Sequence, residues 1–420
     1  MTPQLDQAVQ THLPVRADLP AGQARAFLDE LAQGRHRVET ALVFADWLDD
    51  HGDARGQAVR WSAWKDSHGR ESRVRKTLAG KLHAWMTHYR DHLVGTDQPG
   101  GTLEWHGGLL RLRADAGVLT RTGRAAFVPR VWDLVDAGWL GEVVFRGLGS
   151  ERLLAGVVRW LTDVPRVGLT APTPAAIELL EELPSLRGLS LSQLGQIRPA
   201  VLQSLRAHPH LEELTIHACD LDRLSLFDLP RLRDLRLGHL YRVEHLQLRN
   251  LPSLETLHLG GMAALLDLDL AELPTLREGT VAGATGLSSI AYHDLPALER
   301  VTVCNAQGGT LALRRLPTLA TLALRGARFA QVELEDLDVL ASLDFGKSPL
   351  LSSLAVTRLP ALARLVVRNA GWLGQFSLVG VPALRSLDLS GSRRLPEAWF
   401  AALARCWPQC VVRRDGAIGS

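Results

Sequence analysis

From Leu229 onward the chain repeats one arrangement of apolar and polar positions. A Leu-Pro pair opens each unit, at Pro230, Pro252, Pro274, Pro296, Pro317, Pro360 and, after Val381, Pro382, with Leu337-Asp338 filling the one gap. Successive steps are 21 or 22 residues. Each pair is followed by Leu-x-x-Leu-x-Leu, as in Leu254-Glu-Thr-Leu257-His-Leu259 and Leu384-Arg-Ser-Leu387-Asp-Leu389. The closing Leu-x-Leu alternates with period two, so it predicts a short strand with one buried face. A second alternation lies about eleven residues further on, at Leu224–Leu226, Leu246–Leu248, Leu268–Leu270, Leu311–Leu313, Val332–Leu334 and Phe376–Leu378. No room for a helix remains between the two turns, so the middle of the array should hold two parallel sheets back to back, their leucines sharing a core that no unit buries alone.

The flanks read differently. Strand-like pieces at 109–112, 143–145, 167–169 and 189–191 alternate with helix-like stretches at 127–139, 151–161, 174–183 and 199–207. Pro174 and Pro199 suit first helical turns. Residues 396–405 read as a helix and 410–413 as a last strand, together a C-terminal cap.

The repeated motif resembles the leucine-rich-repeat superfamily over roughly residues 103–413. That resemblance implies an α/β fold class: a leucine-rich-repeat solenoid of parallel β, two-sheeted in the middle, with helix-containing units at both ends, preceded by a small α-helical module. One departure matters. The usual repeat places Asn three residues after the last Leu, where its amide satisfies turn backbone. Here the position holds Cys219, Leu240, Met262, Ala284, Ala306, Ala327, Ser348, Ala370 and Ser392. The turn backbone must be satisfied some other way.

Residues 22–60 carry Phe27-Leu-Asp-Glu-Leu31, Ala41-Leu-Val-Phe-Ala-Asp-Trp-Leu48 and His51-Gly-Asp-Ala-Arg-Gly56. The run Ala45-Asp46-Trp47-Leu48, then Gly52-Asp53 and Arg55-Gly56, resembles the bacterial repeat-companion domain, which precedes leucine-rich repeats in large bacterial families; the resemblance implies no catalytic activity. Leu42, Phe44, Ala45 and Leu48 make an apolar helix face with Trp47 as a packing group. Gly52 reads as a helix stop, and an Asp46–Arg55 pair is expected to fix the turn. A further helix is expected near 73–93 and a linker over 95–101. The domains expected are 1–95 (helical module), 96–210 (strand-helix repeats), 211–395 (regular repeats) and 396–420 (cap and tail).

Composition narrows the function. With 46% apolar and 22% charged residues the chain has the make-up of a folded protein. A net charge of +2 gives no bulk-charge case for nucleic acid or a membrane surface. No apolar run is long enough to span a bilayer, and residues 1–20 lack a signal peptide's basic start and apolar stretch, so a cytoplasmic location is expected. Cys219 and Cys304 read as packing residues; the Cys406–Cys410 spacing is not that of a redox Cys-x-x-Cys motif, and no second Cys or His pair stands nearby to complete a zinc site. Phosphate loops, metalloprotease motifs and nucleophile elbows are missing from the sequence. His88 and His92, with His83, stand at a spacing able to share a metal, but no further ligand accompanies them, so a helix face is the plainer reading. Neither cofactor, metal nor catalytic residue is expected. Trp47, Trp61, Trp64, Trp85, Trp105, Trp132, Trp139 and Trp160 gather in the first 160 residues. They serve either as glue between helical module and first repeats or as an exposed aromatic patch.

The residues pointing outward from the first strand of each unit form the default partner surface: Glu213, Thr215, His217, Asp234, Arg236, His258, Glu278, Arg300, Arg325, Asp344, Arg364, Arg368 and Asp388. Val366 is expected to face outward with them. The expected function is a non-catalytic protein–protein interaction scaffold that holds a protein partner on this face. The alternative is a regulatory or substrate component recognised by a partner enzyme, for example a protease, in a bacterial defence or signalling system.

Overall fold

A computed structural model describes residues 20–33, 37–68, 72–94, 101–115, 134–135, 137–146, 161–162, 164–183, 185–195, 202, 204–414 and 417–419. It is a small helical module followed by a parallel-strand repeat solenoid. Two compact units, residues 1–189 and 190–420, make up the chain. Among the described residues no helix is long and apolar enough to cross a membrane.

The first unit opens with α1 (Ala21–Gln33), α2 (Arg37–Asp50), α3 (Arg55–Ser67) and α4 (Arg73–Val94). Ala41, Phe44, Ala45 and Leu48 recur at helical spacing and are all buried. Gly52 ends α2 at φ +68°, the Asp53 N–H donating to the Leu48 carbonyl at 2.9 Å and the Gly52 N–H to the Asp49 carbonyl at 2.9 Å. A Cβ at Gly56 would meet the Ala45 carbonyl at 2.7 Å, so only glycine lets α3 cross α2 there. The expected Asp46–Arg55 pair does not form. Arg55 points inward and holds fully buried Asp53 through two bonds of 2.9 and 2.7 Å, its guanidinium 4.3 Å from the centre of the Trp139 ring. Asp46 lies on the exposed side of α2 and takes Arg60 at 2.6 Å.

β1 (Gly101–His106) and β2 (Leu109–Asp115) form an antiparallel hairpin that the sequence reading did not anticipate. Its two turn residues, Gly107 and Gly108, have φ of 57° and 84°, which such a tight turn requires. The α3 side chains hold that turn: the Gly107 N–H donates to Asp66 at 2.7 Å, the Gly108 N–H to Ser62 at 3.2 Å, and Lys65 donates to the Trp105 carbonyl at 2.8 Å. Burial opposes ionisation of Asp66, but the His106 hydrogen bond and the charges of His106 and Lys65 outweigh it and keep its pKa at about 2. Trp85, Trp105 and Trp139 are buried and meet edge to face, with Phe44 stacked on Trp139. These three are core packing between helices and hairpin. Trp132 and Trp160 lie outside the described residues, as do most of 127–139 and 151–161, the expected linker up to Gly101, and the side chain of His92.

β3 (Leu140–Arg146) and β4 (Arg166–Thr170) follow in parallel. Residues 174–183 form the expected helical piece: an α-turn Pro174–Glu178, started by Thr173 accepting from the Ala176 N–H, then a 3-10 turn Leu179–Glu182. The unit boundary falls within β5 (Gly188–Leu194). Of residues 199–207, the described part includes a 3-10 turn, Ser204–Ala207.

The second unit is a two-faced coil stack. Its first face holds β6 (Glu213–Cys219), β8 (Asp234–Gly238), β10 (Thr256–Gly260), β12 (Glu278–Ala282), β14 (Arg300–Cys304) and β16 (Thr321–Arg325), parallel and in register. A further sheet continues this series with β18 (Ser342–Lys347), β20 (Arg364–Arg368), β22 (Ser386–Asp388) and β23 (Val411–Arg414), closed by antiparallel β24 (Ala417–Gly419). The other face carries β7 (Arg223–Phe227), β9 (His245–Arg249) and β11 (Asp267–Ala271), then β13 (Leu287–His293), β15 (Gln307–Arg314), β17 (Arg328–Glu335), β19 (Ser353–Thr357) and β21 (Gln375–Val379). The second alternation is therefore strand, as read. Leu235, Leu257, Val301 and Leu322 on one side and Leu226, Leu248, Leu313 and Leu334 on the other are all buried in the shared interior.

Two corners close each coil. In Leu-Pro-x-Leu the fourth N–H bonds back to the first carbonyl, as from Leu254 to Leu251 at 3.1 Å, with proline fixing φ at the second position. The residue before each Leu-Pro is left-handed: Asp228, Asn250, Glu272, Asp294, Arg315, Asp336 and Arg358 all have φ between 52° and 59°. The opposite corner uses Ala218, His239, Gly261, Gly283, Asn305, Gly326, Asn369 and Gly391 in the same way. Their N–H groups donate to the last strand carbonyl of the next coil, as from His239 to Gly260 and Gly261 to Ala282, both at 2.8 Å. This ladder replaces the asparagine amides. The positions where asparagine would stand, Cys219 through Ser392, are buried and fill the corner.

At the C-terminal end, helix Glu397–Cys406 packs Trp399 on Phe376 of β21, and the Trp399 and Trp407 indole N–H groups donate to the Phe376 and Val381 carbonyls at 3.1 and 2.8 Å. An edge strand that would otherwise present free carbonyls is thereby covered.

Candidate partner-binding surface

Strand register arranges the outward residues of the first face in rows. One row runs Glu213, Asp234, Thr256, Glu278, Arg300, Thr321; the next runs Thr215, Arg236, His258, Thr280, Thr302, Ala323; the third runs His217, Gly238, Gly260, Ala282, Cys304, Arg325. Neighbours in a row are about 4.8 Å apart, the strand spacing.

Over β6 to β14 the charges of this face satisfy one another. Arg236 grips Asp234 of its own strand through two bonds of 2.8 Å, and that hydrogen bond, with the charges of Asp234 and Glu213, raises its pKa. Arg300 reaches Glu278 one coil earlier at 3.0 Å. His258 is half-buried, and burial together with Arg236 lowers its pKa. Beside the rows runs an alternating column, Glu212, Arg233, Glu255, Arg277, Glu299, with pairs Arg233–Glu255 at 3.6 Å and Arg277–Glu299 at 3.4 Å. His217 lies flat over Gly238, where a Cβ would sit 2.5 Å from its ring, and its ring centre is 5.7 Å from that of His239, which bonds the Tyr241 hydroxyl at 2.6 Å. Thr215 and Glu213 are half-exposed at the start of the rows.

From β16 onward the balance changes. Arg325 and Arg364 are exposed, and among the described residues neither has a carboxylate partner. Asp344 turns back to accept its own Gly346 N–H at 2.7 Å. Asp388 is not displayed: it is 6% exposed and accepts from the Ser390 N–H, the Ser390 hydroxyl and Arg368 at 3.1, 2.6 and 3.0 Å. The Arg368–Asp388 pair links the neighbouring strands β20 and β22 beside Val366, which is buried too, so Asp388 and Val366 leave the set of outward groups. Lys347, Arg385 and Arg413 are exposed on or beside this part of the face and were not singled out from the sequence. The uneven charge of residues 345–420 is the signal that points to them.

The opposite face is also largely self-paired: His245–Asp267 at 2.8 Å, Arg249–Asp269, and Arg314–Glu333. Among the described residues no group of three or more His, Cys, Asp or Glu is placed to hold a metal ion. A cavity of about 310 Å³ in the first unit is lined by Arg25, Leu28, Asp29, Leu109, Gly138 and Arg187. Arg25 and Asp29 pair across one helical turn at its rim.

Compared with models of known protein families the chain matches none, and no curated protein is significantly similar to it.

Proposed function

We propose that this protein is a non-catalytic scaffold that holds a protein partner on the outward face of β6 to β23. The observation that carries the reading is the register of that face: rigid, hydrogen-bonded strands hold polar side chains in fixed rows, so a partner docks with little loss of side-chain freedom. In the first coils Arg236 and Arg300 are paired on the face itself, and the later coils offer cations with no carboxylate partner among the described residues. The buried Leu-x-x-Leu-x-Leu positions and the Gly52–Gly56 turn support reading the chain as a leucine-rich-repeat protein with a repeat-companion module, of bacterial type and working in the cytoplasm.

Photo-crosslinking residues installed one at a time in the cell test this. At Thr215, Thr302 or Arg364 they should trap one common protein; at Ser225, Ser289 or Ser377 on the opposite face they should trap little. Equal trapping from both faces, or none from the first, would remove the assignment.

A further inference from the structure

Charge in the second unit is segregated along the chain. Residues 211–344 hold 12 basic and 19 acidic side chains, a net of −7; residues 345–420 hold ten basic and three acidic ones, a net of +7. A chain of overall charge +2 therefore ends in a strongly cationic segment.

The fold turns this segregation into a surface. β18, β20, β22 and β23 lie side by side, and their outward or flanking positions include Lys347, Arg364, Arg385 and Arg413. All four are exposed, and among the described residues none has an anionic partner. Of the two carboxylates on these strands, Asp388 is buried and held by Ser390 and Arg368, and exposed Asp344 accepts the Gly346 N–H, leaving it one anion among four unpaired cations. Arg325 borders the patch on β16. This differs from the coils before it, where Arg236 and Arg300 are neutralised on the spot. Unpaired like charges brought together on a rigid sheet repel one another, and an anionic partner removes that cost.

We infer that the β18–β23 face docks an extended acidic segment of the partner protein, a stretch rich in Asp or Glu. This rests on the scaffold reading above and names the chemistry of what is held. Two features favour a peptide over nucleic acid. Three strand steps make the patch about 14 Å wide, the span of four or five extended residues and well under a duplex turn of about 34 Å. Among the described residues no exposed aromatic ring stands on the face to stack a base; exposed Trp372, at the neighbouring corner, already carries the Arg394 guanidinium 4.0 Å above its ring.

A fluorescein-labelled decapeptide of alternating Glu and Ser, titrated into the full chain and read by anisotropy, tests the inference. Saturable binding at low salt should weaken steeply by about 0.5 M salt. The triple variant R364E/R385E/R413E should lose about tenfold or more in affinity, the control R223E/R328E on the opposite face should bind as the parent, and both should melt like the parent by circular dichroism. Single-stranded or duplex DNA of about 20 nucleotides should compete less well than unlabelled peptide. Absence of saturable binding, equal binding by a folded triple variant, or tighter binding of DNA would overturn the acidic-segment assignment. If cross-linking from Thr215 and Thr302 still traps the common protein in that event, the scaffold reading stands and only the inference falls; if that trapping is also absent, both fall.

Discussion

Gly279 stands where every other coil of the first face places Leu or Val, and Tyr292 stands where the following coils of the opposite face place Leu or Val. The exchange is one of volume. A Cβ at Gly279 would lie 3.4 Å from both the ring and the hydroxyl of Tyr292, which is wholly buried, so the ring fills the space a leucine leaves. The Tyr292 hydroxyl has no hydrogen-bond partner there, and burial pushes its pKa up. Y292F should therefore be neutral or slightly stabilising in urea denaturation. G279L should destabilise by about 1–3 kcal/mol through overpacking, and the double variant G279L/Y292L should recover part of that loss. A double variant no better than G279L alone would show that the two positions do not share a space.

His208 is the other residue whose setting has a measurable consequence. It is buried, its Nε2 has no partner, and burial lowers its pKa below 6.5. The folded state then binds the proton less readily than the unfolded chain. Stability from this residue is whole above about pH 6.5 and declines as the pH falls through the lower folded-state value. Chemical denaturation between pH 7.5 and about 5 should show H208Q losing less stability than the parent. An identical slope for both proteins would assign the acid sensitivity elsewhere.

At the scale of the element, each coil is two similar halves. Leu229-x-x-Leu232-x-x-Leu235-x-Leu237 is followed by Leu240-x-x-Val243-x-x-Leu246-x-Leu248, and each half ends in a left-handed residue, His239 and Asn250. This explains what the sequence disclosed and what it hid. Strands with alternating leucines, such as β10 and β9, were legible because period two is a local property. The leucine alternation fails at β13, which buries Ile290 and Tyr292 in place of leucines, whereas β19 carries an apolar alternation at Leu354 and Val356. The missing asparagine ladder was legible as a departure, but its replacement was not. A left-handed backbone at Ala218 or Arg315 carries no side-chain signature and is imposed by the stacking of the next coil. The Asp46–Arg55 pair expected from the sequence does not form for a related reason: which way Arg55 points depends on where Trp139 packs, more than 80 residues away in the chain.

For the candidate surface, the rows of outward residues followed from the repeat, yet their pairing did not. Arg300 finds Glu278 at a separation of 22 residues, and Asp388 is drawn inward by Ser390 and Arg368. Register decides both, and register is a property of neighbouring coils. Such exposed pairs each contribute only about 0–1 kcal/mol, so their larger effect is to decide which charges remain available to a partner.

Across the second unit, two faces of stacked strands enclose one apolar interior, and everything proposed for the outward face depends on it. Leu257 and Leu259 of one face and Leu246 and Leu248 of the other are all nearly or wholly inaccessible to water. Burial on that scale is the main source of stability, and no coil achieves it alone. Amide hydrogen exchange read by mass spectrometry addresses this directly. Peptides covering 234–238 and 256–260 on one face, and 245–249 and 267–271 on the other, should be protected alike and lose protection together as denaturant is raised. Rapid exchange of the 245–249 and 267–271 peptides while 234–238 and 256–260 stay protected would contradict a shared interior.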